Sequence, residues 1–283
     1  MKKTCCVVLN YNDYNTTLKF LQSVFKYKSI DYILVVDNLS TDGSYDILKK
    51  KEDDRIKVVQ CKKNGGYGAG NNYGVLYARE KLGCDYVIIS NPDVFFEDTT
   101  IHNMIKVIDK TENCAVVSAI QYDINKQRIK DVAWRIPSAF KYAFTFSGLG
   151  TKYADTLYPM TYYDDEVVEV DCVPGAMLIV DAEKFIEMQG YDERVFLYCE
   201  EDMLGYKIKN NGYKTYLLTK EHYIHEQGVS IDKSISNKIT KLDMVYKSKL
   251  FFMKNYLKAN AIELLIAKMN IFIKILILRL RAE

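Results

Sequence analysis

Tyr32-Ile33-Leu34-Val35-Val36-Asp37-Asn38-Leu39-Ser40-Thr41-Asp42-Gly43-Ser44 is the stretch on which the fold turns. Its five leading residues are apolar, Asp37-Asn38 stops the run, and Asp42-Gly43 turns the chain into a helix through Leu48. A short apolar run bounded by turn chemistry reads as a buried strand. The pattern repeats on both sides. Upstream, Cys5-Cys6-Val7-Val8-Leu9 runs into Asn10, Asn12 and Asp13, and Leu18, Leu21 and Phe25 then recur at helical spacing. Downstream, Ile56-Lys57-Val58-Val59 precedes a glycine-rich loop and a helix containing Val75, Leu76 and Ala78. Tyr86-Val87-Ile88-Ile89 then ends at Ser90-Asn91-Pro92-Asp93. Such alternation predicts an α/β fold, a parallel sheet with helices on both faces. Ligands on these sheets sit at the carboxyl ends of the strands, where this chain places Asn and Asp.

The second half differs in texture. Residues 121–170 are irregular and aromatic, with Trp134, Phe140, Tyr142, Phe144, Phe146, Tyr153, Tyr158, Tyr162 and Tyr163. They read as a long excursion of the kind that builds binding sites. Order resumes at Val173-Pro174-Gly175-Ala176-Met177-Leu178-Ile179-Val180, followed by helices near 182–188 and from about Glu201 to before Gly212. There is no internal repeat and no low-complexity linker.

Composition narrows the class. At 283 residues and 48% hydrophobic, with four prolines, the chain suits one large domain or two small ones. Disordered, collagen-like and disulfide-framework proteins are excluded. A net charge of +2 gives no sign of a nucleic-acid partner, but it is an average. From Lys241 onward nine basic residues face three acidic ones, while the first 240 residues carry 30 basic against 34 acidic. Seven scattered cysteines without a CxxC pair argue against zinc and for reduced thiols. Lys2-Lys3 precede only a five-residue apolar stretch, too short for a signal-peptide core, so a cytoplasmic protein is expected.

Several features admit both a plain and a chemical reading. Asp37 can form an ordinary turn or contact a ligand. In Asn64-Gly65-Gly66-Tyr67-Gly68-Ala69-Gly70-Asn71-Asn72-Tyr73-Gly74 the glycines permit close backbone approach, and the next helix can present free N–H groups to an anion. The loop lacks the Gly-Lys-Ser/Thr of a Walker A motif, and no GxGxxG follows the first strand, so a dinucleotide oxidoreductase has little support. Asn91-Pro92-Asp93 is good turn chemistry; it also sets a carboxylate and an amide at the sheet edge, where one carboxylate plus substrate phosphates can hold a hard divalent cation. Glu200-Glu201-Asp202 either offsets a helix dipole or supplies a general base. His225, one of three histidines, is a surface residue or a metal ligand, with His222 a weaker candidate. Trp134-Arg135 either packs the core or stacks on a sugar and pairs with phosphate.

Taken in order, these segments resemble a known family. Val8-Leu9-Asn10-Tyr11-Asn12, Val36-Asp37-Asn38-Leu39-Ser40-Thr41-Asp42-Gly43-Ser44, the loop at 64–74, Asn91-Pro92-Asp93, Gly175-Ala176-Met177-Leu178-Ile179 and Glu200-Glu201-Asp202-Met203-Leu204-Gly205-Tyr206-Lys207 follow its sequence of motifs. Over roughly residues 4–230 the chain resembles family 2 glycosyltransferases of the GT-A fold. It is most like bacterial rhamnosyltransferase-type members that build surface polysaccharides.

The resemblance implies a Rossmann-like nucleotide-binding sheet fused to an acceptor-binding half. Residues 1–240 would form this domain, divided near 121, and residues 241–283 a basic helical tail. It also implies an inverting transfer from a UDP- or dTDP-sugar to a growing, lipid-linked polysaccharide, with Mn2+ or Mg2+. By position Asp37 and Asn38 would meet the base or ribose, helped by Asn10, Tyr11 and Asn12. Gly66, Gly70 and Asn72 would lie over the nucleoside and diphosphate. Asn91-Pro92-Asp93 falls where the family has Asp-x-Asp, with Asp93 as metal ligand; Asn91 replaces the first acid, and its amide can still bond a ribose hydroxyl. His225 would complete the metal site. Trp134, Arg135, Gly175 and Glu200 fall on the acceptor side. The family has an acid followed three residues later by Leu, which puts Glu201 in the base position ahead of Leu204, with Asp202 as rival. A non-catalytic sugar-nucleotide-binding subunit of the same assembly is the alternative.

In the tail, Glu263, Asn270, Lys274 and Arg281 fall on one helix stripe among Leu, Ile, Phe and Met. No apolar span reaches the length of a transmembrane helix. An amphipathic helix is expected, meeting an anionic membrane on the inner face or a second copy of the chain, with a helix that covers the core as the plain alternative.

Overall fold

The computed structural model describes residues 2–146, 156–226 and 238–280. Its first half follows the expected alternation: β1 (Thr4–Asn10), α1 (Tyr14–Val24), β2 (Tyr32–Asp37), α2 (Ser44–Lys49), β3 (Ile56–Gln60), α3 (Gly66–Glu80) and β4 (Tyr86–Ser90). Strands β3, β2, β1 and β4 are parallel neighbours. Alternate strand residues point to opposite faces. Thus Cys5, Val7, Leu34 and Val36 join α3's Val75 and Ala78 in one core, while Cys6, Val8, Ile33 and Val35 join α1's Phe20 and Val24 in the other.

Beyond β4 come β5 (Val94–Phe96), α4 (Asp98–Lys110) and β6 (Cys114–Tyr122), then α5 (Ala139–Phe144), a short 3-10 turn at Met160–Tyr163 and β7 (Val167–Val170). The chain continues through β8 (Met177–Asp181), α6 (Ala182–Glu187), α7 (Glu200–Asn210) and β9 (Lys214–His225). It closes with α8 (Lys238–Asn255) and α9 (Ala261–Leu280). The aromatic excursion is therefore more ordered than its sequence suggests, because the end of β6, α5 and β7 all lie within it. Tyr153 falls outside the described residues.

The sheet is mixed rather than wholly parallel: β8 runs antiparallel to both β4 and β6, and β9 runs parallel to β6. The reason is where the excursion starts. Strand β6 runs in the sense of β4 and ends at the same edge as β1 and β2. The chain then crosses that edge and re-enters the sheet as β8 from there. The carboxyl ends of β1, β2, β3, β4, β6 and β9 and the start of β8 consequently share one edge.

The tail packs on the body. Tyr246, Phe252, Met253, Tyr256 and Ala267 bury against Tyr142, Ala143 and Phe146 of the α5 region, Val195 and Met203. Of the polar stripe, Asn270 Nδ2 donates to the Ala143 carbonyl at 3.0 Å and the Lys274 ammonium sits over the Tyr246 ring. The stripe thus faces inward, and Arg281 lies outside the described residues. The outward face of α9 holds Ile262, Leu265, Met269, Phe272, Ile273, Leu276 and Ile277, with Phe272 68% exposed.

Candidate active site

Polar residues at the shared edge first satisfy one another. Asn10 Nδ2 donates to Asp37 Oδ1 at 3.0 Å, and Asn10 Oδ1 accepts from the Thr17 hydroxyl at 2.8 Å. Asp37 Oδ2 accepts from the Ser40 N–H at 2.9 Å and Gln60 Nε2 at 3.0 Å. The fully buried Asp37 carboxylate is thereby aimed by three donors, which offset part of the cost of burying it. Asn12, at φ +52°, ties this strand end to Thr41, whose N–H it accepts at 2.8 Å, while Tyr11 beside it is half-buried. Asn38 Nδ2 donates to Asn64 Oδ1 at 2.8 Å and to the Gly66 carbonyl at 3.1 Å; its own Oδ1 is buried without a partner among the described residues.

The stretch 64–74, expected as a loop, is helical from Gly66 onward, because its glycines let α3 pack closely on its neighbours. Gly66 has φ +88°, and a Cβ there would lie 1.9 Å from the Phe196 carbonyl oxygen. The first N–H groups of α3 are occupied: Gly66 donates to Asn64 Oδ1 and Tyr67 to that Phe196 carbonyl, at 3.1 and 3.2 Å. Gly70 lets α3 press on Leu9, whose Cδ1 would stand 2.4 Å from an added Cβ. Asn72 is bound to the loop before α7: its Oδ1 accepts from the Tyr191 N–H at 2.8 Å, and its Nδ2 donates to the Tyr191 carbonyl and Glu193 at 3.0 Å each. These side chains and glycines join α3 to strand β1 and to the chain ahead of α7.

Gly175 is where three motifs meet. Its carbonyl accepts from Tyr67 Oη at 2.6 Å, and its N–H donates to Glu201 Oε1 at 3.2 Å. The adjacent Ala176 carbonyl accepts from the Asn91 N–H at 2.9 Å. An added Cβ on Gly175 would come within 3.0 Å of Glu201 Oε1. One peptide segment therefore spaces the glycine-loop helix, Asn91-Pro92-Asp93 and the acids of α7.

Those acids differ in environment. Helix α7 opens after Tyr198 and Cys199, both left-handed at φ +75° and +65°, which swings Glu200, Glu201 and Asp202 into the interior. Asp202 is held at both oxygens, by Trp134 Nε1 at 2.8 Å and Tyr142 Oη at 3.0 Å. For Glu201 the Gly175 N–H is the hydrogen bond found among the described residues. Burial raises both carboxyls above the usual range, and donors counteract this more at Asp202. Glu200 is 4% exposed with Oε1 unpartnered, and burial, then the charge of Glu201, pushes it up to about 8. Trp134, Tyr142, Asp202 and Lys249 line a cavity of about 370 Å³. Arg135 is not brought there; its guanidinium stacks on Tyr158, 4.8 Å from the ring centre.

Asp93 and His225 come together at the ends of β4 and β9, with Asp93 Oδ1 3.3 Å from His225 Nε2. Asp93 is 3% exposed, and among the described residues its Oδ1 has no hydrogen-bond partner. A buried carboxylate oxygen left unpaired beside an imidazole nitrogen is a donor set that fits a divalent cation. Among the described residues no cluster of three or more His, Cys, Asp or Glu could hold a metal by itself. His222 stands apart, edge-on to Tyr122.

The model of glycosyl transferase family 2 matches residues 5–171. The chain belongs to glycosyltransferase family 2. It is 25% identical over 214 residues to the rhamnosyltransferase WbbL of Escherichia coli K12, covering 69% of this chain and 78% of that protein. It is 22% identical over 209 residues to an N-acetylglucosaminyl-diphospho-decaprenol L-rhamnosyltransferase of Mycobacterium tuberculosis, covering 70% of this chain and 67% of the relative. In fold it is similar to GalNAc-T7, solved with UDP, GalNAc and Mn2+, with a TM-score of 0.64 at 14% identity. That match covers 81% of this chain and 45% of the GalNAc-T7 chain. It is also similar to Staphylococcus aureus TarS 1–349 in complex with UDP-GlcNAc, with a TM-score of 0.57 at 15% identity, covering 90% and 67%. The mixed sheet with its helical C-terminal region is thus the GT-A arrangement.

Within this glycosyltransferase, sequence reasoning passes over Gln60, Tyr67, Gln121, Tyr142 and Lys249. Gln60 and Gln121 share a signal: each closes an apolar run at a strand's carboxyl end, as Asp37 does. Tyr67, Tyr142 and Lys249 carry no such mark, since only packing between distant segments brings them in.

Proposed function

We propose that this glycosyltransferase transfers a sugar, with inversion, from a UDP- or dTDP-sugar to a saccharide or lipid-linked acceptor in surface polysaccharide synthesis. The carrying observation is the convergence on Gly175-Ala176, which links Glu201 to the segment bearing Asp93. Inversion requires a base on the face of the sugar opposite the leaving diphosphate. Glu201 suits that role: burial raises its basicity, and fewer donors encumber it than Asp202. It would take the proton of the incoming hydroxyl, while Asp202 orients Trp134 and Tyr142 along the acceptor cavity. Asp37, Asn38 and Asn91 would contact the nucleoside, with the unpartnered Asn38 Oδ1 the most available acceptor. Mn2+ or Mg2+ held by Asp93, His225 and the donor's phosphates would offset charge on the departing diphosphate.

A lipid-linked acceptor accords with the decaprenol-linked substrate named for the mycobacterial relative. No helix among the described residues is long and apolar enough to cross a membrane. The outward apolar face of α9, with exposed Lys254, Lys258 and Lys268 nearby in sequence, suits an anionic bilayer surface, which would hold the enzyme on the inner face of the membrane.

The test is a pair of variants assayed with UDP- and dTDP-sugars. Glu201→Gln is expected to keep donor binding and lose transfer by about 10²–10⁴-fold, the usual worth of a general base. Asp93→Ala is expected to lose cation-dependent donor binding. Normal turnover by Glu201→Gln together with an inactive Asp202→Asn would refute the assignment of the base.

A further inference from the structure

Gln121 ends in a position that the reading above leaves without a task. It is 2% exposed near the end of β6, and its amide lies between two residues of β9. Tyr223 Oη donates to Gln121 Oε1 at 3.0 Å, and Gln121 Nε2 stands 3.2 Å from His225 Nδ1. An amide nitrogen only donates, so Nδ1 must accept. In neutral His225 the ring proton then sits on Nε2, the nitrogen that faces Asp93 Oδ1 at 3.3 Å. A nitrogen carrying that proton cannot bind a cation, which requires a free lone pair.

The same atoms allow a second arrangement. With the Gln121 amide turned over, Oε1 accepts a proton from Nδ1–H, and Nε2 donates to Tyr223 Oη. Tyr223 then turns its proton toward Ser118, a neighbour that interacts with its phenol and whose own hydroxyl donates to the Met177 carbonyl at 2.8 Å. The side chains of Gln121, Tyr223 and Ser118 keep hydrogen-bond partners in both arrangements, which a network this enclosed requires. Only the second leaves Nε2 free beside Asp93.

We propose that Gln121 is the positioning residue of the cation site: its amide, anchored by Tyr223, decides which nitrogen of His225 carries the proton and turns over when a divalent cation binds. This rests on the cation reading of Asp93 and His225. It goes beyond that reading by giving the site two states and a residue that selects between them.

The experiment measures Mn2+ affinity from the electron paramagnetic resonance signal of free Mn2+, with UDP present, across wild type and four variants. Gln121→Leu should raise the Mn2+ Kd by about 10–100-fold, as losing an outer partner of a metal-bound histidine does. Gln121→Glu, which can only accept, should bind within about threefold of wild type or more tightly. Tyr223→Phe should fall between, and still reports if Gln121→Leu does not fold. His225→Ala is the control. In parallel, nitrogen-15 shifts of the three histidines should show the His225 proton on Nε2 without metal and on Nδ1 with Mg2+ and UDP. Wild-type affinity in folded Gln121→Leu, with His225→Ala weakened, overturns the proposal and leaves the cation reading intact. Wild-type affinity in His225→Ala overturns both. Equal weakening by Gln121→Glu and Gln121→Leu, or a proton already on Nδ1 without metal, also overturns it.

Discussion

Glu200→Gln should stabilise this protein at alkaline pH and barely at acidic pH. In the folded state Glu200 titrates at about 8, against 4.5 for a free glutamate, because burial and the neighbouring Glu201 charge disfavour its ionised form. The sign follows from proton counts. Between those two values the unfolded chain has released the proton while the folded chain retains it, so stability falls as pH rises. Stability then falls steadily with pH across the window, by about 3–4 kcal/mol between pH 5 and pH 8. Glutamine keeps a similar shape and an acceptor oxygen but has no proton to release. The difference in unfolding free energy between Glu200→Gln and wild type should therefore grow by about 3–4 kcal/mol across that range. Urea denaturation at pH 5, 6, 7 and 8 measures it directly. A difference that stays flat within about 0.5 kcal/mol would show that Glu200 ionises normally in the fold.

Gly66→Ala should destabilise by more than about 2 kcal/mol, since a left-handed backbone and a collision with the Phe196 carbonyl act together. Gly43→Ala is the control, with φ +83° but open space around the added carbon, and should cost only about 1–2 kcal/mol. Equal losses in thermal or urea unfolding would remove the argument from close approach. Replacing Leu265, Phe272 and Leu276 together by Ser should cut binding to anionic phosphatidylglycerol vesicles more than tenfold, because each buried side chain contributes about 1.5–3 kcal/mol. Unchanged vesicle binding, with a shift from dimer to monomer in sedimentation, would assign that face to a second copy.

The strands were legible because continuous apolar runs ending in Asn or Asp have few other interpretations. β1 to β4 and α7 stand close to where the pattern predicts them, whereas α3 begins at Gly66, inside the stretch that reads as a loop. The antiparallel entry of β8 was not legible, since direction depends on which edge the excursion crosses, and residues 123–176 carry no period that states it. The candidate site divides the same way. Asp37, Asp93, Glu201 and His225 announce themselves as polar residues at element ends. The occupation of Asn72 by Tyr191 and Glu193, and of Asp202 by Trp134 and Tyr142, involves partners 60 to 121 positions away.

By itself, the sequence determined the α/β class, the succession of motifs and the two regions of charge, because local periodicity and composition encode them. Only the tertiary structure decided that Gly175 spaces three motifs, that Gln121 stands behind His225 and that α9 turns its polar stripe inward. Those facts depend on which surfaces meet after the sheet closes, and hydrogen bonds between such surfaces form at distances set by packing rather than by position in the chain.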